Sequence, residues 1–276
     1  MILRNNFFFF KSALTEKQCT DIITVGLSKM EIAKSKDGDK AISAATFDNK
    51  EKGGINKEGK KTTDEKMLGH LTRQGARKKG LKENDVYVRD SHVSWIGEKW
   101  IYDMIHPFVQ EANQRAGWNY QWDFSEPAQF TKYGPSQFYG WHSDSGPDPY
   151  RMAIKGNDNK WKIAIKNDLG WVATDKNAPI RKDGNLAPGW VNNVNMAHKL
   201  RKLSVTVNLT TPGNYEGGNL KFDLGPHAPK RYHVCKEIRP RGSIIVFPSH
   251  LYHQVTPVTK GTRYSLVMWN LGNPWR

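Results

Sequence analysis

The segment Tyr139-Gly140-Trp141-His142-Ser143-Asp144 places a histidine and a carboxylate two residues apart. In an extended strand residues i and i+2 face the same side, so the imidazole of His142 and the carboxylate of Asp144 can aim at one point. An H-x-D pair is common by chance and does not by itself make a metal site. The stretch "GSIIVFPSHLYHQVTPVTKGTRYSLVMWN" supplies more: a hydrophobic strand, a turn, His253, another turn and a final strand. In that last strand Arg263, Ser265, Val267 and Trp269 share a face by period-2 alternation. An arginine turned into a β core costs several kcal/mol unless an anion meets it. Ser265 adds a donor beside it, so the site asks for a carboxylate-bearing ligand, which arginine binds in bidentate fashion.

Two histidines and one carboxylate from distant strands leave three positions open on a bound metal. That donor set suits non-haem Fe(II) in oxygen chemistry rather than structural zinc, whose tetrahedron is closed. A keto acid could chelate two open positions with its far carboxylate on Arg263, leaving the last for dioxygen.

Such a constellation needs strands to carry it. Phe7 to Phe10 read as a short apolar strand. Thr15 and Gln18 match a helix-starting capping box ahead of Cys19, Ile22, Ile23 and Leu27 at helical spacing. Trp100, Ile101, Met104, Ile105, Phe108, Val109 and Ala112 form the apolar stripe of a second helix, expected to pack on a sheet. Between them, residues 35–85 are polar and rich in Lys and Gly, with one short helix expected near 64–77. After Gly117 the character changes to short β-type runs: "AQFTKY", "QFYGWHSD", "WKIAIKN", "LSVTVNLTT", "NLKFDLG", "RYHVCKEI", "GSIIVFPS" and "TRYSLVMWNLG". Repeated short strands punctuated by Gly and Pro indicate a sandwich or barrel rather than βαβ units.

The bulk properties bound the partners. At 276 residues the chain suffices for one large domain, and no apolar run approaches a membrane span. Phe7 to Phe10 are too short for an export signal, and Cys19 and Cys235 read as reduced buried thiols, so the expected compartment is the cytoplasm. The formal charge of +15 raises the odds of a polyanionic partner. The charge is nevertheless dispersed; only residues 150–202 are one-sided, with eleven Lys or Arg against four Asp.

The segments "YGPSQFYGWHSD", "NYEGGNL" and "FPSHLYHQVTPVTKGTRYSLVMW" resemble the Fe(II)- and 2-oxoglutarate-dependent dioxygenases, in particular their prolyl 4-hydroxylase-like branch. The resemblance covers most of 123–276. It follows the family order of H-x-D, a distal histidine and a basic residue about ten positions later, here His253 and Arg263. It implies His142, Asp144 and His253 as iron ligands and the catalytic centre. Arg263 would bind the distal carboxylate of 2-oxoglutarate, Tyr133 would hydrogen-bond that co-substrate, and Ser265 would assist. His250 competes with His253, but the "HQVTPV" context and the spacing to Arg263 favour His253. The other histidines (His70, His92, His106, His198, His227 and His233) have no matching partners and read as structural or surface. Glu216, Gly217 and Gly218 match the family's turn before a strand and are read as turn chemistry.

The implied fold is α+β: a double-stranded β-helix, or distorted jelly roll, supported by N-terminal helices. We expect one catalytic domain over 1–276, with helical support and the polar excursion in 1–122. The β core would occupy 123–276, with an insertion at about 147–200 that is either a lid or substrate surface or a structural elaboration. The implied activity is hydroxylation of a prolyl residue in a peptide or protein, with 2-oxoglutarate decarboxylated to succinate, dioxygen consumed and ascorbate as an auxiliary reductant. The alternative with the same chemistry is a free amino acid or other small molecule as substrate. A nucleic-acid demethylase would carry a second arginine where Trp269 stands, and a non-catalytic jelly-roll binder would show a broken triad.

Overall fold

The computed structural model describes residues 5–38, 43–45, 89–181 and 184–274. The helix expected near 64–77, most of the 35–85 excursion and His70 lie outside the described residues. The chain opens with β1 (Phe8–Phe10) and α1 (Glu16–Asp37), then β2 (Ser43–Ala45), β3 (Arg89–Ile96) and α2 (Lys99–Arg115). Next come β4 (Phe124–Ser125), β5 (Ala128–Tyr133) and β6 (Phe138–His142). An inserted group follows: β7 (Arg151–Lys155), β8 (Trp161–Asn167), β9 (Gly170–Asn177) and β10 (Trp190–Val191). The remainder is β11 (Leu200–Asn208), β12 (Tyr215–Gly217), β13 (Leu220–Asp223), β14 (Tyr232–Val234), β15 (Ile244–Pro248), β16 (His253–Val255), β17 (Val258–Gly261) and β18 (Arg263–Gly272).

Strand pairing defines a jelly roll directly. β5 pairs β18, β6 pairs β16, β11 pairs β15 and β13 pairs β14, all antiparallel. Each earlier strand therefore meets a later one in nested order, as in a long hairpin rolled upon itself. The roll has two layers, β15-β11-β18-β5 and β6-β16-β13-β14. They are joined through β3, which pairs both β5 and β6. β1 extends the first layer beyond β15. Thus β1 and β3, from the part read as helical support, are strands of the main sheet.

Alternation sorts the side chains. On β11, Leu203, Val205 and Val207 join Leu266 and Met268 of β18 in the core beneath the helices. The intervening Thr206 and the alternating set Arg263, Ser265, Val267 and Trp269 line the interior of the roll, as the period-2 reading of the last strand predicts. A second core of Leu220, Phe222, Cys235, Ile238, Ile245 and Phe247 fills another part of the molecule.

The helix after Thr15 and the helix carrying the apolar stripe both form. Thr15 caps α1, accepting from the Gln18 backbone N–H while the Gln18 side chain accepts from the N–H of Thr15. Helix α1 packs on β3 and β5. Gly26 lies at that crossing, where a Cβ would fall within the Phe130 ring. Its carbonyl accepts a 2.8 Å bond from the Ser94 hydroxyl. Helix α2 buries Ile101, Ile105, Val109 and Ala112, whereas Trp100, counted in the apolar stripe, is exposed because it sits at the edge of that face. The insertion folds as a four-stranded sheet in the order β10-β7-β8-β9, with Met152, Ala164 and Ala197 as its own small core.

Candidate metal centre

His142 ends β6 and His253 begins β16, and the two are direct partners in the β6–β16 ladder. Their rings lie 4.2 Å apart at 52°. Asp144 is not on the strand, as its spacing suggested, but two residues beyond its end, where the chain bends. The backbone N–H groups of Asp144 and Ser145 both donate to the Ser249 carbonyl, at 2.9 and 3.0 Å, and this tether supplies the aim that a strand would have given. One carboxylate oxygen stands 3.5 Å from His142 Nε2 and the other 3.6 Å from His253 Nε2. The three donor atoms all lie within 4.8 Å of one another.

The protonation pattern suits a cation. His142 Nδ1 lies 2.8 Å from the Gly140 carbonyl and His253 Nδ1 lies 2.9 Å from the Leu251 carbonyl. A carbonyl only accepts, so each Nδ1 donates to it and each Nε2 is the ring nitrogen turned to the centre. Burial, with His142 adding, pushes His253 down to about 4 against the opposing pull of Asp144, so its imidazole is neutral at pH 7. Burial disfavours the charged form of Asp144, but His253, His142 and Arg201 outweigh it and hold the carboxyl well below the usual range. The Ser204 hydroxyl donates to Asp144 Oδ2 at 2.7 Å and stands 2.9 Å from the Ser249 hydroxyl. Two imidazoles and one carboxylate are the donor types non-haem Fe(II) takes, so the residues present fit that ion.

Arg263 is 1% exposed, and among the described residues no carboxylate forms an ion pair with it. Its Nη1 donates to Ser265 Oγ at 3.2 Å, and its guanidinium carbon lies 5.5 Å from the Tyr133 ring centroid. Tyr133 is its direct partner in the β5–β18 ladder. Arg263, Ser265 and Tyr133 line the same cavity as His142, Asp144 and His253, so the structure brings all six sequence-identified residues together. A buried, unneutralised guanidinium is stable only when an anion occupies the space before it.

Gly217 and Gly218 are in the left-handed region at φ 69° and 58°. A Cβ on Gly218 would stand 2.9 Å from Arg263 Cδ, so this turn also makes room for the arginine. His250 is exposed on the turn before β16 and lies outside the donor group. Sequence reasoning missed the neighbours that steady the centre. Tyr139 stacks on His142 at 3.6 Å and 11°, and Arg89 covers the Tyr139 ring at 4.5 Å. Ser204, Ser249 and Arg201 were equally silent, since nothing in their spacing marks them as neighbours of Asp144.

Residues 183–270 match the model of the 2OG-Fe(II) oxygenase superfamily. That segment carries His253, Arg263 and Ser265, in keeping with the sequence resemblance. A PKHD-type hydroxylase of Klebsiella pneumoniae subsp. pneumoniae is 28% identical over 142 residues, 51% of this chain and 41% of that protein. Another PKHD-type hydroxylase, from Synechococcus sp. (strain CC9902), is 41% identical over 83 residues, 29% of this chain and 34% of that protein. The chain thus spans less than half the length of these curated relatives. The crystal structure of a viral collagen prolyl hydroxylase from Paramecium bursaria Chlorella virus-1, in complex with 2OG, superposes with a TM-score of 0.48 at 15% identity, covering 97% of each chain.

Proposed function

We propose that the chain is an Fe(II)- and 2-oxoglutarate-dependent dioxygenase that hydroxylates a prolyl residue in a peptide or protein. One observation carries the reading: a two-histidine, one-carboxylate donor group and a buried, unpaired arginine line one cavity. His142, Asp144 and His253 would hold the iron, with Nε2 of each histidine already turned to the centre. Arg263, with Ser265, would receive the distal carboxylate of 2-oxoglutarate as a bidentate pair, and Tyr133 would hydrogen-bond the same co-substrate. The iron, when bound, would supply the redox chemistry in which dioxygen is consumed, one of its oxygen atoms going to succinate as 2-oxoglutarate loses carbon dioxide and the other to the substrate as a hydroxyl. The chain's own contribution is orientation: hydrophobic walls such as Leu220, Phe247 and Val267 limit water around the reacting groups.

Hydroxylation is favoured by the similarity to PKHD-type hydroxylases, and a prolyl residue in a peptide or protein follows the sequence resemblance to the prolyl 4-hydroxylase-like branch. Ascorbate as reductant and a location in the cytoplasm belong to the same reading. Cys19 and Cys235 are both free and buried, which suits a reducing compartment. Among the described residues no helix is long and apolar enough to cross a membrane.

The test is to incubate the chain with Fe(II), 2-oxoglutarate and proline-rich peptides, with free amino acids and alkylated oligonucleotides in parallel. Succinate formation and a one-oxygen mass gain on peptide are expected, both abolished by Asp144→Ala. A mass gain on free amino acids alone would replace the substrate, and no succinate with any substrate would overturn the reading.

A further inference from the structure

A buried ion pair lies between the insertion and the metal centre. Glu126, just before β5, is 5% exposed. Its backbone N–H donates to the Trp269 carbonyl at 3.0 Å, and its carbonyl accepts from the Tyr102 hydroxyl at 3.0 Å. Its carboxylate receives Arg201 in bidentate fashion, Nε to Oε1 and Nη2 to Oε2, both at 2.6 Å. The Tyr150 hydroxyl also donates to Oε1, at 2.9 Å. Tyr150 precedes β7 and so belongs to the insertion. Its N–H donates to the carbonyl of Lys199, at the insertion's other end, at 3.0 Å.

The free arm of Arg201 faces the metal centre. Nη1 lies 3.4 Å from the Asp144 carbonyl oxygen, and the guanidinium carbon lies 4.0 Å from the Trp269 ring centroid. A register shift in the β11–β18 ladder between Arg201 and Leu203 re-aims the side chain, as bulges beside functional sites do. Well-packed apolar groups can replace a buried ion pair without loss of stability, so stability alone does not account for this one. What the pair fixes is the main chain of one metal donor and one wall of the cavity.

We propose that Glu126 is a positioning residue for the metal centre. It holds Arg201 in the orientation that braces Asp144 and Trp269, and Tyr150 makes the insertion part of that brace. This rests on His142, Asp144 and His253 being the metal ligands. Neither Glu126 nor Tyr150 is among the three donors; both act through Arg201.

Mn(II) alone, titrated calorimetrically into the full chain with its electron paramagnetic resonance spectrum recorded, tests the proposal. Glu126→Gln keeps the shape and removes the charge; Tyr150→Phe removes one hydroxyl. Mn(II) affinity is expected to fall roughly tenfold for the first and about fivefold for the second. Both spectra should change, while the thermal midpoint of Tyr150→Phe stays near wild type. Lys160→Ala, on an exposed turn of the same insertion, should leave affinity and spectrum unchanged. Wild-type affinity and spectrum in Glu126→Gln and Tyr150→Phe would overturn the proposal. Should Glu126→Gln fail to fold, Tyr150→Phe decides alone. A wild-type chain that binds no Mn(II) would instead remove the ligand assignment, and the proposal with it.

Discussion

In the proposed reading Arg263 is the residue on which 2-oxoglutarate recognition would turn. Among the described residues its side chain donates to a neutral hydroxyl, that of Ser265, and it lines the same cavity as the metal donors. Replacing it by Gln keeps hydrogen-bonding capacity but removes the charge and the fork. The loss of charged hydrogen bonds of about 3 kcal/mol corresponds to a roughly hundredfold weaker 2-oxoglutarate affinity. Metal affinity should barely move, because Arg263 is not a donor. Titrating 2-oxoglutarate into the Mn(II)-loaded variant checks this, and equal loss of both ligands would refute it. Arg263 and Ser265 were legible because they alternate with period 2, and His142 and Asp144 because only one residue separates them, whereas His253 was singled out by the family resemblance. The tether of Asp144 to Ser249 was not, since it joins residues from separate loops through backbone atoms that carry no sequence signal.

At the scale of elements, the crossing of α1 over the sheet is set by Gly26. The helix could not approach Phe130 so closely with any side chain there. Gly26→Ala gains helix propensity of up to about 1 kcal/mol, but overpacking against an aromatic ring costs about 1–3 kcal/mol. A net fall in the urea midpoint is expected, and a rise would mean that the helix shifts freely. Legibility at this scale followed burial. "AQFTKY" and "WKIAIKN" coincide with β5 and β8, because alternation or a dense apolar run marks them. β3 escaped notice because "RDSHVSWI" is half polar, yet it joins the two layers of the roll. β7 and β9 were passed over for a related reason: their sheet buries only a small core of its own, so the apolar signal is thin.

For the whole molecule, a cation at the centre would join the ends of β6 and β16 to the bend that carries Asp144. Ion binding to the folded state alone stabilises by mass action, by about 2.7 kcal/mol at a hundred times the dissociation constant. Mn(II) should therefore raise the thermal midpoint of wild type, a chelator should reverse the rise, and Asp144→Ala should abolish it. A midpoint indifferent to Mn(II) would contradict a metal at this place. The nested pairing has a further consequence, in time rather than space. His142 and His253 are ladder partners although 111 positions separate them along the chain, and the insertion lies between. Contacts so distant in sequence close late, because loop entropy is lost before any pairing rewards it. The centre can exist only once β6 and β16 have paired, so metal capture during refolding would serve as a clock for that step of assembly.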